Sequence, residues 1–306
     1  MHARHPDKVK HHYVPRFLLR RWTNDAGKLQ VFAIRNGRLV CSELTPEYTG
    51  FEIGLYAIMA NALGFSEDDI EKKLFGPIDN GAAKVLEKLE RHEAITVDEH
   101  IAWTFFLSSL RVRQPDALDF LRTEGAVLLR HTLAEQDEAT LPEGWPTTRE
   151  WLDRHFPGAL DATSLTSWLP RMIAHPEVME TFGGVKWWFR EFEPDAPKLL
   201  LSDLPIHSEG GLKDPDFSIM LPIAPNRVFF GTRSAEIEQF LTQMAPAELI
   251  ERVNRATLAS STDRIWASSR ADAQAFIEAN LDATGKNVIT FRSLARWTMS
   301  PEAPPL

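Results

Sequence analysis

Apolar and polar residues alternate in two parts of the chain, one towards each end. Residues 29 to 44 alternate on either side of Arg35-Asn36-Gly37-Arg38, in which Asn-Gly is typical of a two-residue hairpin turn. Between residues 186 and 268, short runs of aliphatic, aromatic and β-branched residues are separated by turn residues. Both segments are predicted to form strands of a sheet.

The residues between these segments, from about 66 to 182, follow a helical spacing. Ser66, Thr96 and Thr147 are each followed three residues later by an acid, which is typical of a capped helix start. Residues 101 to 112 are apolar on nearly every side, so this helix is predicted to be buried at the centre. Gly76-Pro77 is expected to separate a short helix from a longer one.

Strands near both ends with helices between them favour an α+β fold. The expected arrangement is a predominantly helical middle packed on a mixed or antiparallel sheet to which N- and C-terminal segments contribute. A chain of 306 residues is long enough to bury one large core, and no repeat or low-complexity block divides it. We therefore treat residues 1 to 306 as a single domain.

Charge is distributed unevenly along the chain. The first 40 residues hold nine Lys or Arg and two acids, whereas the remainder holds 25 basic and 41 acidic residues. Four of the ten histidines lie within the first twelve residues. A net charge of −9 argues against nucleic-acid binding by the whole surface. The N-terminal segment alone still carries enough positive charge for a local basic groove.

Cysteine content and hydropathy indicate the cellular setting. Cys41 is the only cysteine, which excludes an intrachain disulfide and a cysteine-based metal site and is typical of a reducing compartment. The N-terminus is charged, and no apolar run approaches the length of a membrane span. We expect a cytoplasmic protein with no membrane contact.

His11 and His12 begin the most distinctive motif, His-His-Tyr-Val-Pro. Adjacent side chains point to opposite sides of a strand, or about 100° apart on a helix, so these two rings are poorly placed to chelate one metal. We expect one to face a pocket, as a neutral base, and the other to hold the backbone. The string also resembles the opening of an HNH nuclease, but the next histidine is His92, far from where that core needs one.

Arginines and acids later in the chain are further candidates. Arg16 and Arg20 lie one helical turn apart and could hold a phosphate or carboxylate, or could pair with the acidic body instead. Arg111 and Arg113 end the central helix, where cations also complement the helix dipole. Glu71 and Asp79 are placed on consecutive predicted helices.

Ser202-Asp203-Leu204-Pro205 follows an apolar run that has the character of a buried strand. A carboxylate at the end of such a strand is costly to place without a partner, so Asp203 is a functional candidate, with an Asx turn as the alternative. Asn254 lies among the apolar residues of a helix, and there it must find hydrogen-bond partners.

Several catalytic motifs are missing. The sequence has no phosphate-binding Gly-x-x-x-x-Gly-Lys, no Gly-x-Gly-x-x-Gly, no His-Glu-x-x-His and no Gly-x-Ser-x-Gly. Classes that depend on these motifs are therefore unsupported: P-loop NTPases, dinucleotide enzymes, zincins and α/β-hydrolases.

Taken together, these residues resemble the bacterial and fungal family named domain of unknown function 4238 (DUF4238). Its opening, His-His-x-x-Pro-x-x-x-Leu-Arg-x-Phe, is matched from His11 to Trp22, with Trp in place of Phe. Its Ile-Glu, Arg-x-Pro, Ser-Asp-x-Pro and Val-Asn steps are matched at Glu71, Arg113, Ser202 to Pro205, and Asn254, and a second Ile-Glu step has the shorter acid Asp79. The resemblance covers about residues 11 to 270 and groups these polar positions without implying a reaction.

Two functional hypotheses follow. The first is a hydrolase, such as a phosphodiesterase or nuclease, that acts on an anionic substrate, with His11 or His12 as base and with Asp203 and Glu71 orienting it or binding Mg²⁺ or Mn²⁺. Its substrate contacts would come from Arg20, Arg113, Ser202 and Asn254. The second is a non-catalytic binding or effector module whose basic N-terminal helix docks an acidic partner or nucleic acid.

Overall fold

A computed structural model describes residues 9 to 58, 66, and 68 to 285, and it confirms the α+β fold. A further helix expected near residues 292 to 299 lies outside the described residues. None of the helices in the described part is both long and apolar enough to cross a membrane.

The predicted hairpin, helical middle and later strands occur in the expected order, and two short strands that the sequence did not predict, Lys10–His12 and Phe51–Ile53, are added near the N-terminus. The helices are α1 (Arg16–Leu19), α2 (Gly76–Glu90), α3 (Val97–Ser109), α4 (Pro115–Phe120), α5 (Ala126–Thr140), α6 (Thr148–His155), α7 (Ala159–Ile173), α8 (Pro176–Gly184), α9 (Ala235–Gln243), α10 (Pro246–Ser260) and α11 (Arg270–Ala279). The strands are β1 (Lys10–His12), β2 (Leu29–Arg35), β3 (Arg38–Leu44), β4 (Phe51–Ile53), β5 (Lys186–Glu191), β6 (Leu201–Ser202), β7 (His207–Glu209), β8 (Ser218–Ala224), β9 (Arg227–Thr232) and β10 (Ile265–Ala267). Single π-helical turns occupy Glu71–Phe75 and Leu121–Gly125.

The described strands pair in three antiparallel sheets. β1 pairs with β4, a second sheet has the order β3-β2-β10-β6, and a third has the order β5-β9-β8-β7. In the second sheet the N-terminal hairpin is joined to C-terminal strands, with Ile265 opposite Phe32. The expectation that both ends contribute to one sheet is confirmed there, whereas β5 and β7 to β9 form a sheet of their own.

The predicted hairpin turn is confirmed. Asn36 and Gly37 have φ values of 51° and 72°, the pair of positive angles that a type I′ turn requires. Because Asn and Gly adopt such angles at low cost, the turn fixes the register of β2 on β3, with Arg35 opposite Arg38.

The expected break at Gly76-Pro77 is wrong. The π-helical turn Glu71–Phe75 runs directly into α2, and Pro77 falls in the first turn of that helix. The π-helical turn directly before Pro77 accommodates the missing N–H, so the helical stretch continues through the proline. Glu71 and Asp79 therefore lie on one continuous helical stretch.

The buried centre of the fold is α3, as predicted. Thr96 begins it with a capping box, and Trp103, Phe106 and Leu107 are completely buried in the main hydrophobic core. α2 and α8 pack against it. The chain leaves α3 at Ser109 and reaches Pro115 through a segment in which Arg113 and Gln114 are buried and Arg111 is half-buried.

Candidate functional site

Five charged or titratable residues meet where β1 approaches the start of α2 and the end of α3. We call His11, Asp68, Glu71, Asp79 and Arg113 the N-terminal polar cluster. His11 Nε2 lies 3.8 Å from Asp68 Oδ1, and Arg113 Nη2 lies 2.9 Å from Asp79 Oδ1. Asp79, Arg113 and Asp68 all act electrostatically on Glu71. Three of the predicted site residues, His11, Glu71 and Arg113, are thus brought together.

The two adjacent histidines point to different sides of β1, as expected for a strand. His11 is fully buried, its Nδ1 accepts the Tyr56 backbone N–H at 2.8 Å, and its ring stacks on the Tyr56 ring. His12 Nε2 lies 3.2 Å from the Pro46 carbonyl oxygen, and its ring packs on Phe51. Burial lowers the pKa of His12 to about 4, so this ring is neutral at neutral pH.

Arg113 is occupied by the protein itself. Its side chain is 0% exposed, and its two Nη groups donate to the two Asp79 carboxylate oxygens at 3.2 and 2.9 Å. Nη2 also donates to Ser109 Oγ at 2.8 Å, and the guanidinium lies 4.5 Å from the centre of the Phe75 ring. These contacts occupy the guanidinium N–H groups that a substrate anion would need. Arg113 therefore neutralises Asp79.

Glu71 is the member of the cluster best suited to proton transfer. Burial, reinforced by the charge of Asp79, raises the pKa of Glu71 to about 7. Its Oε2 is buried and has no hydrogen-bond partner among the described residues. The residue begins a π-helical turn, a local structure that is frequent at functional sites. Glu71 can therefore hold or release a proton near neutral pH.

Asp203 lies elsewhere, and its carboxylate accepts four hydrogen bonds from one loop. The donors are the backbone N–H groups of Thr262, Asp263 and Arg264 and the Thr262 hydroxyl, at 2.5 to 3.2 Å. The residue is 2% exposed, and burial raises its pKa against the effect of these bonds. Its neighbour Ser202 donates to the Leu204 carbonyl at 2.9 Å. Asp203 thus fixes the loop that leads into β10, and Ser202 fixes the turn that follows β6.

Arg20 and Asn254 also lie apart from the cluster. Arg20 pairs with Glu47 at 3.4 Å on the surface, and Arg21 pairs with Glu90. The basic helix therefore docks on acids of its own chain. Asn254 accepts the Leu200 N–H at 2.8 Å and donates to the Lys198 carbonyl at 3.0 Å, which clamps that segment to α10.

A cavity of about 1070 Å³ lies between the end of α3, α4, the segment from Asp203 to Leu212, and the end of α10. This volume is at the upper end of the range for small-molecule sites, about 300–1,000 Å³. Much of its wall is apolar, with contributions from Phe120, Phe182, Leu204, Ile206, Leu212 and Phe217. Asp203 and its loop form part of the same wall.

Three side-chain nitrogens in this wall have no hydrogen-bond partner in the described part of the chain. Arg111 Nη1, Gln114 Nε2 and His207 Nε2 are buried and make no hydrogen bond to the described part of the chain. Gln114 and His207 are only 6% and 9% exposed. The Arg111 guanidinium lies 5.6 Å from the centre of the Phe182 ring, and burial lowers its pKa to about 10. Buried polar groups are nearly always satisfied, so we expect water or a ligand in the cavity to supply the missing hydrogen-bond partners.

His207 is held in a defined orientation. Its Nδ1 lies 2.8 Å from Ser260 Oγ, and burial lowers its pKa to about 4, so the ring carries a single proton at neutral pH. When Ser260 donates its hydroxyl proton to Nδ1, the ring proton is on Nε2, and that atom is a donor. All three unpartnered groups then offer N–H bonds and none offers a lone pair.

A comparison with models of known protein families gives one match. The family described as "Protein of unknown function (DUF4238)" matches residues 10–271. The chain belongs to the DUF4238 family. No curated protein and no solved structure matches it.

In this DUF4238 protein, the residues of the family-like motifs lie in two sites, the N-terminal polar cluster and the cavity wall. The first motif and the Ile-Glu steps build the N-terminal polar cluster, whereas Arg-x-Pro contributes both to that cluster, through Arg113, and to the cavity wall, through Gln114. Among residues 9–58, 66 and 68–285, no three His, Cys, Asp or Glu side chains are arranged to hold a metal ion.

Sequence reasoning did not single out Gln114 or His207, and it gave Arg111 only as one of two arginines at the end of the central helix, with the helix dipole as the competing explanation. His207 follows Pro205 and Ile206 in a short polar segment, which gives no periodic signal. His207 contacts Ser260 of α10 and Arg111 contacts Phe182 of α8, and no local sequence pattern indicates these long-range contacts. The usable signal in the sequence was a pair of arginines directly after a largely apolar helix.

Proposed function

We propose that this DUF4238 protein binds an anionic small molecule in the cavity, with Arg111 as its main contact. The observation that carries the proposal is the Arg111 guanidinium, which lines the cavity without a carboxylate partner among the described residues. Of the two neighbouring arginines, Arg113 is neutralised by Asp79 and Arg111 is not.

Energetics support a ligand at Arg111. A pKa of about 10 leaves the guanidinium charged at neutral pH. Arg111 is half-buried and its Nη1 atom is shielded from solvent. A charge partly removed from water without a counter-charge is costly, and the cost is recovered when an anion of the ligand supplies both charge and acceptor atoms. Gln114 and His207 add donors from the same wall.

The remaining wall indicates what else the ligand contains. Phe182 and Phe217 are buried aromatic residues in the wall, beside leucine and isoleucine side chains. Small-molecule sites are typically apolar with a few placed polar groups, and this cavity fits that description. The ligand is therefore expected to have an apolar body attached to its anionic group.

Arg111→Met tests this proposal. A panel of carboxylates and phosphates is screened by thermal unfolding, and at least one should raise the melting temperature of the native protein by about 5 °C at ~100 times its Kd. In Arg111→Met the affinity for that compound should fall about 30-fold or more, because a desolvated charge pair is lost. Without ligand, the variant should be as stable as the native protein or more so, since an unpaired cation is removed.

The matched control is Arg38→Met, which removes an exposed arginine of the β2–β3 hairpin that does not line the cavity. Its affinity should equal that of the native protein. An Arg111→Met protein that unfolds more easily yet binds normally would make Arg111 structural and refute the proposal.

Hydrolysis is a second candidate function. The observation that favours it is the raised pKa of Glu71. A carboxyl group with a pKa of about 7, in the same polar cluster as the buried His11, is suited to general acid or base catalysis at neutral pH. The anionic substrate of this reaction would need another cation than Arg113, which is already paired.

Glu71→Gln is the variant that tests hydrolysis. With bis-p-nitrophenyl phosphate and either Mg²⁺ or Mn²⁺, the native rate should fall as the pH rises through about 7 if protonated Glu71 is the acid. Glu71→Gln should lower the rate at pH 6 about 100-fold and leave the melting temperature at that pH unchanged, because glutamine resembles the protonated acid. Glu248→Gln, on the exposed side of α10, is the control. Equal rates in Glu71→Gln and the native protein would exclude Glu71 from catalysis.

A further inference from the structure

Ser260 and His207 form a hydrogen-bonded pair in the wall of the cavity. Ser260 Oγ lies 2.8 Å from His207 Nδ1, and both residues line the cavity. We propose that this pair is a catalytic dyad for the hydrolysis of apolar carboxylic esters, with Ser260 as the nucleophile and His207 as its base. The reaction goes beyond the proposed binding of an anion. It is also separate from the N-terminal polar cluster, no member of which lines this cavity.

The hydroxyl group of Ser260 is paired with an imidazole and not with the backbone. A serine or threonine in a helix commonly donates to the carbonyl one turn before it, and Thr257 of the same helix does so to Val253 at 3.0 Å. Ser260 Oγ makes its one hydrogen bond within the described part of the chain to His207. A nucleophile within hydrogen-bond reach of its base is the arrangement that nucleophilic catalysis requires.

His207 is kept in the form that can accept a proton. Its side chain is 9% exposed, and burial lowers its pKa to about 4, so the ring is neutral at neutral pH. With its proton on Nε2, the ring presents the Nδ1 lone pair to the Ser260 hydroxyl. Ser260 is the last residue of α10, so the imidazolium formed by proton transfer would lie at the C-terminal end of that helix. The helix dipole favours a cation there, which offsets part of the cost of charging a buried ring.

The second ring nitrogen of His207 indicates how fast the dyad can work. In Ser-His-Asp enzymes a carboxylate accepts from that nitrogen and stabilises the imidazolium, and replacing this acid by its amide lowers turnover about 10⁴-fold. His207 Nε2 is buried and makes no hydrogen bond to the described residues. We therefore expect slow turnover, and a covalent label is a more sensitive probe of this pair than a steady-state rate.

The surroundings of the pair indicate the substrate class. Leu204, Ile206 and Leu212 belong to the same chain segment as His207 and line the same cavity of about 1070 Å³. This apolar wall fits the acyl chain of an ester. A weakly basic imidazole supports attack only on a reactive acyl group, and its conjugate acid readily returns the proton to a leaving alcohol. Both properties favour esters over amides.

The reaction has two balanced steps, and water is the co-reactant. Ser260 Oγ bonds to the acyl carbon as its proton moves to His207 Nδ1, and the bond to the alcohol oxygen then breaks as that oxygen takes the proton. In the second step water attacks the acyl-serine and gives a proton to His207. Ser260 Oγ recovers this proton when the acyl bond breaks, and a carboxylic acid is released.

Labelling of the full chain with a long-chain alkyl fluorophosphonate tests the proposal. This reagent phosphonylates an activated serine with loss of fluoride, and mass spectrometry of the intact chain and of its peptides locates the adduct. At pH 7.5 the native protein should be labelled at Ser260, and Ser260→Ala should not be labelled. Ser208→Ala, the matched control, removes an exposed serine of the same cavity wall and should be labelled at the native rate.

His207→Gln and ester turnover test the base and the reaction. Labelling of His207→Gln should be about 100-fold slower or more, because a general base is lost, while its melting temperature shows that it is folded. With p-nitrophenyl octanoate, the native protein should release p-nitrophenol in a burst followed by a slow phase. Ser260→Ala should abolish the burst, and Ser208→Ala should keep it. Ser260→Ala alone decides the proposal if His207→Gln does not fold.

The outcomes separate this reaction from the binding of an anion. Labelling that persists in Ser260→Ala, or a native labelling rate in folded His207→Gln, would overturn the dyad. A protein that binds an anion of the panel but is not labelled at Ser260 retains the binding function and loses this reaction. A protein that is labelled at Ser260 but binds no anion supports the dyad and loses the binding function.

Discussion

Arg113→Met is expected to destabilise the protein by about 3–4 kcal/mol, because it leaves Asp79 without its partner. The Arg113 side chain is 0% exposed and that of Asp79 is 23% exposed, so the remaining carboxylate is only partly solvated. Breaking a buried ion pair by removing one member costs about 3–5 kcal/mol, and the partial exposure of Asp79 reduces that figure. Ser109 Oγ also loses a donor. Urea denaturation at pH 7.5 measures the change.

A double-mutant cycle separates the ion pair from packing. Arg113→Met combined with Asp79→Ala should be less destabilised than the sum of the two single variants, because no charge is then left unpaired. Arg91→Met is the control: Arg91 and Glu93 form an exposed pair, and its loss should cost less than about 1 kcal/mol. Additive single effects, or an Arg113→Met cost as small as that of the control, would contradict this role.

Asp203→Ala is expected to cost about 2–4 kcal/mol. The carboxylate accepts four hydrogen bonds at 2.5 to 3.2 Å, and its loss leaves the backbone N–H groups of residues 262 to 264 without this acceptor. The same loop leads into β10, the strand that links β6 to β2. Because Thr262 and Asp263 line the cavity, ligand affinity should fall together with stability.

Asp214→Ala provides the comparison for Asp203→Ala. Asp214 accepts a single bond from the backbone N–H of Asp216 in an exposed turn, so its removal should cost less than about 1 kcal/mol. Equal costs for the two variants, by thermal or urea unfolding, would show that the Asp203 hydrogen bonds add little. An Asp203→Ala protein with native stability and no ligand binding would instead assign Asp203 to the ligand.

Local chemistry accounts for the parts of the fold that the sequence predicted. Asn36-Gly37 adopts positive φ angles at low cost, and Thr96 and Thr147 cap their own helices, so these elements depend on few distant residues. The continuity through Gly76-Pro77 could not be predicted, because it depends on a π-helical turn with no sequence signal of its own. The pairing of β1 with β4 joins segments about 40 residues apart, which only the packed chain determines.

The candidate site was predicted less completely than the fold. His11, Glu71 and Arg113 come together because the first motif and two helices converge, and residue type alone marked each of them. Asp203 and Asn254 stood out for the same reason, as costly polar residues in apolar surroundings, yet the structure shows them bonded to the backbone. A costly polar residue must find a partner, but sequence does not reveal whether that partner is the protein or a ligand.

Arg111 and Arg113 show this limit most clearly. They are two residues apart at the end of one helix, with the same charge and the same apolar neighbours in the chain. Arg113 forms an ion pair with Asp79 of α2, whereas Arg111 lines the cavity together with Gln114 and His207. Only tertiary contacts distinguish them, and the distinction moved the proposed anion site from Arg113 to Arg111.

The central claim is that Arg111 binds the anionic group of a ligand inside the cavity. A crystal structure of the protein with the tightest-binding anion of the panel tests it most directly. The account predicts a carboxylate or phosphate oxygen at about 2.7–2.9 Å from an Arg111 guanidinium nitrogen, with the apolar part of the ligand against Phe182. A structure in which Arg111 is paired with a carboxylate of the protein, and the anion lies outside the cavity, would contradict it.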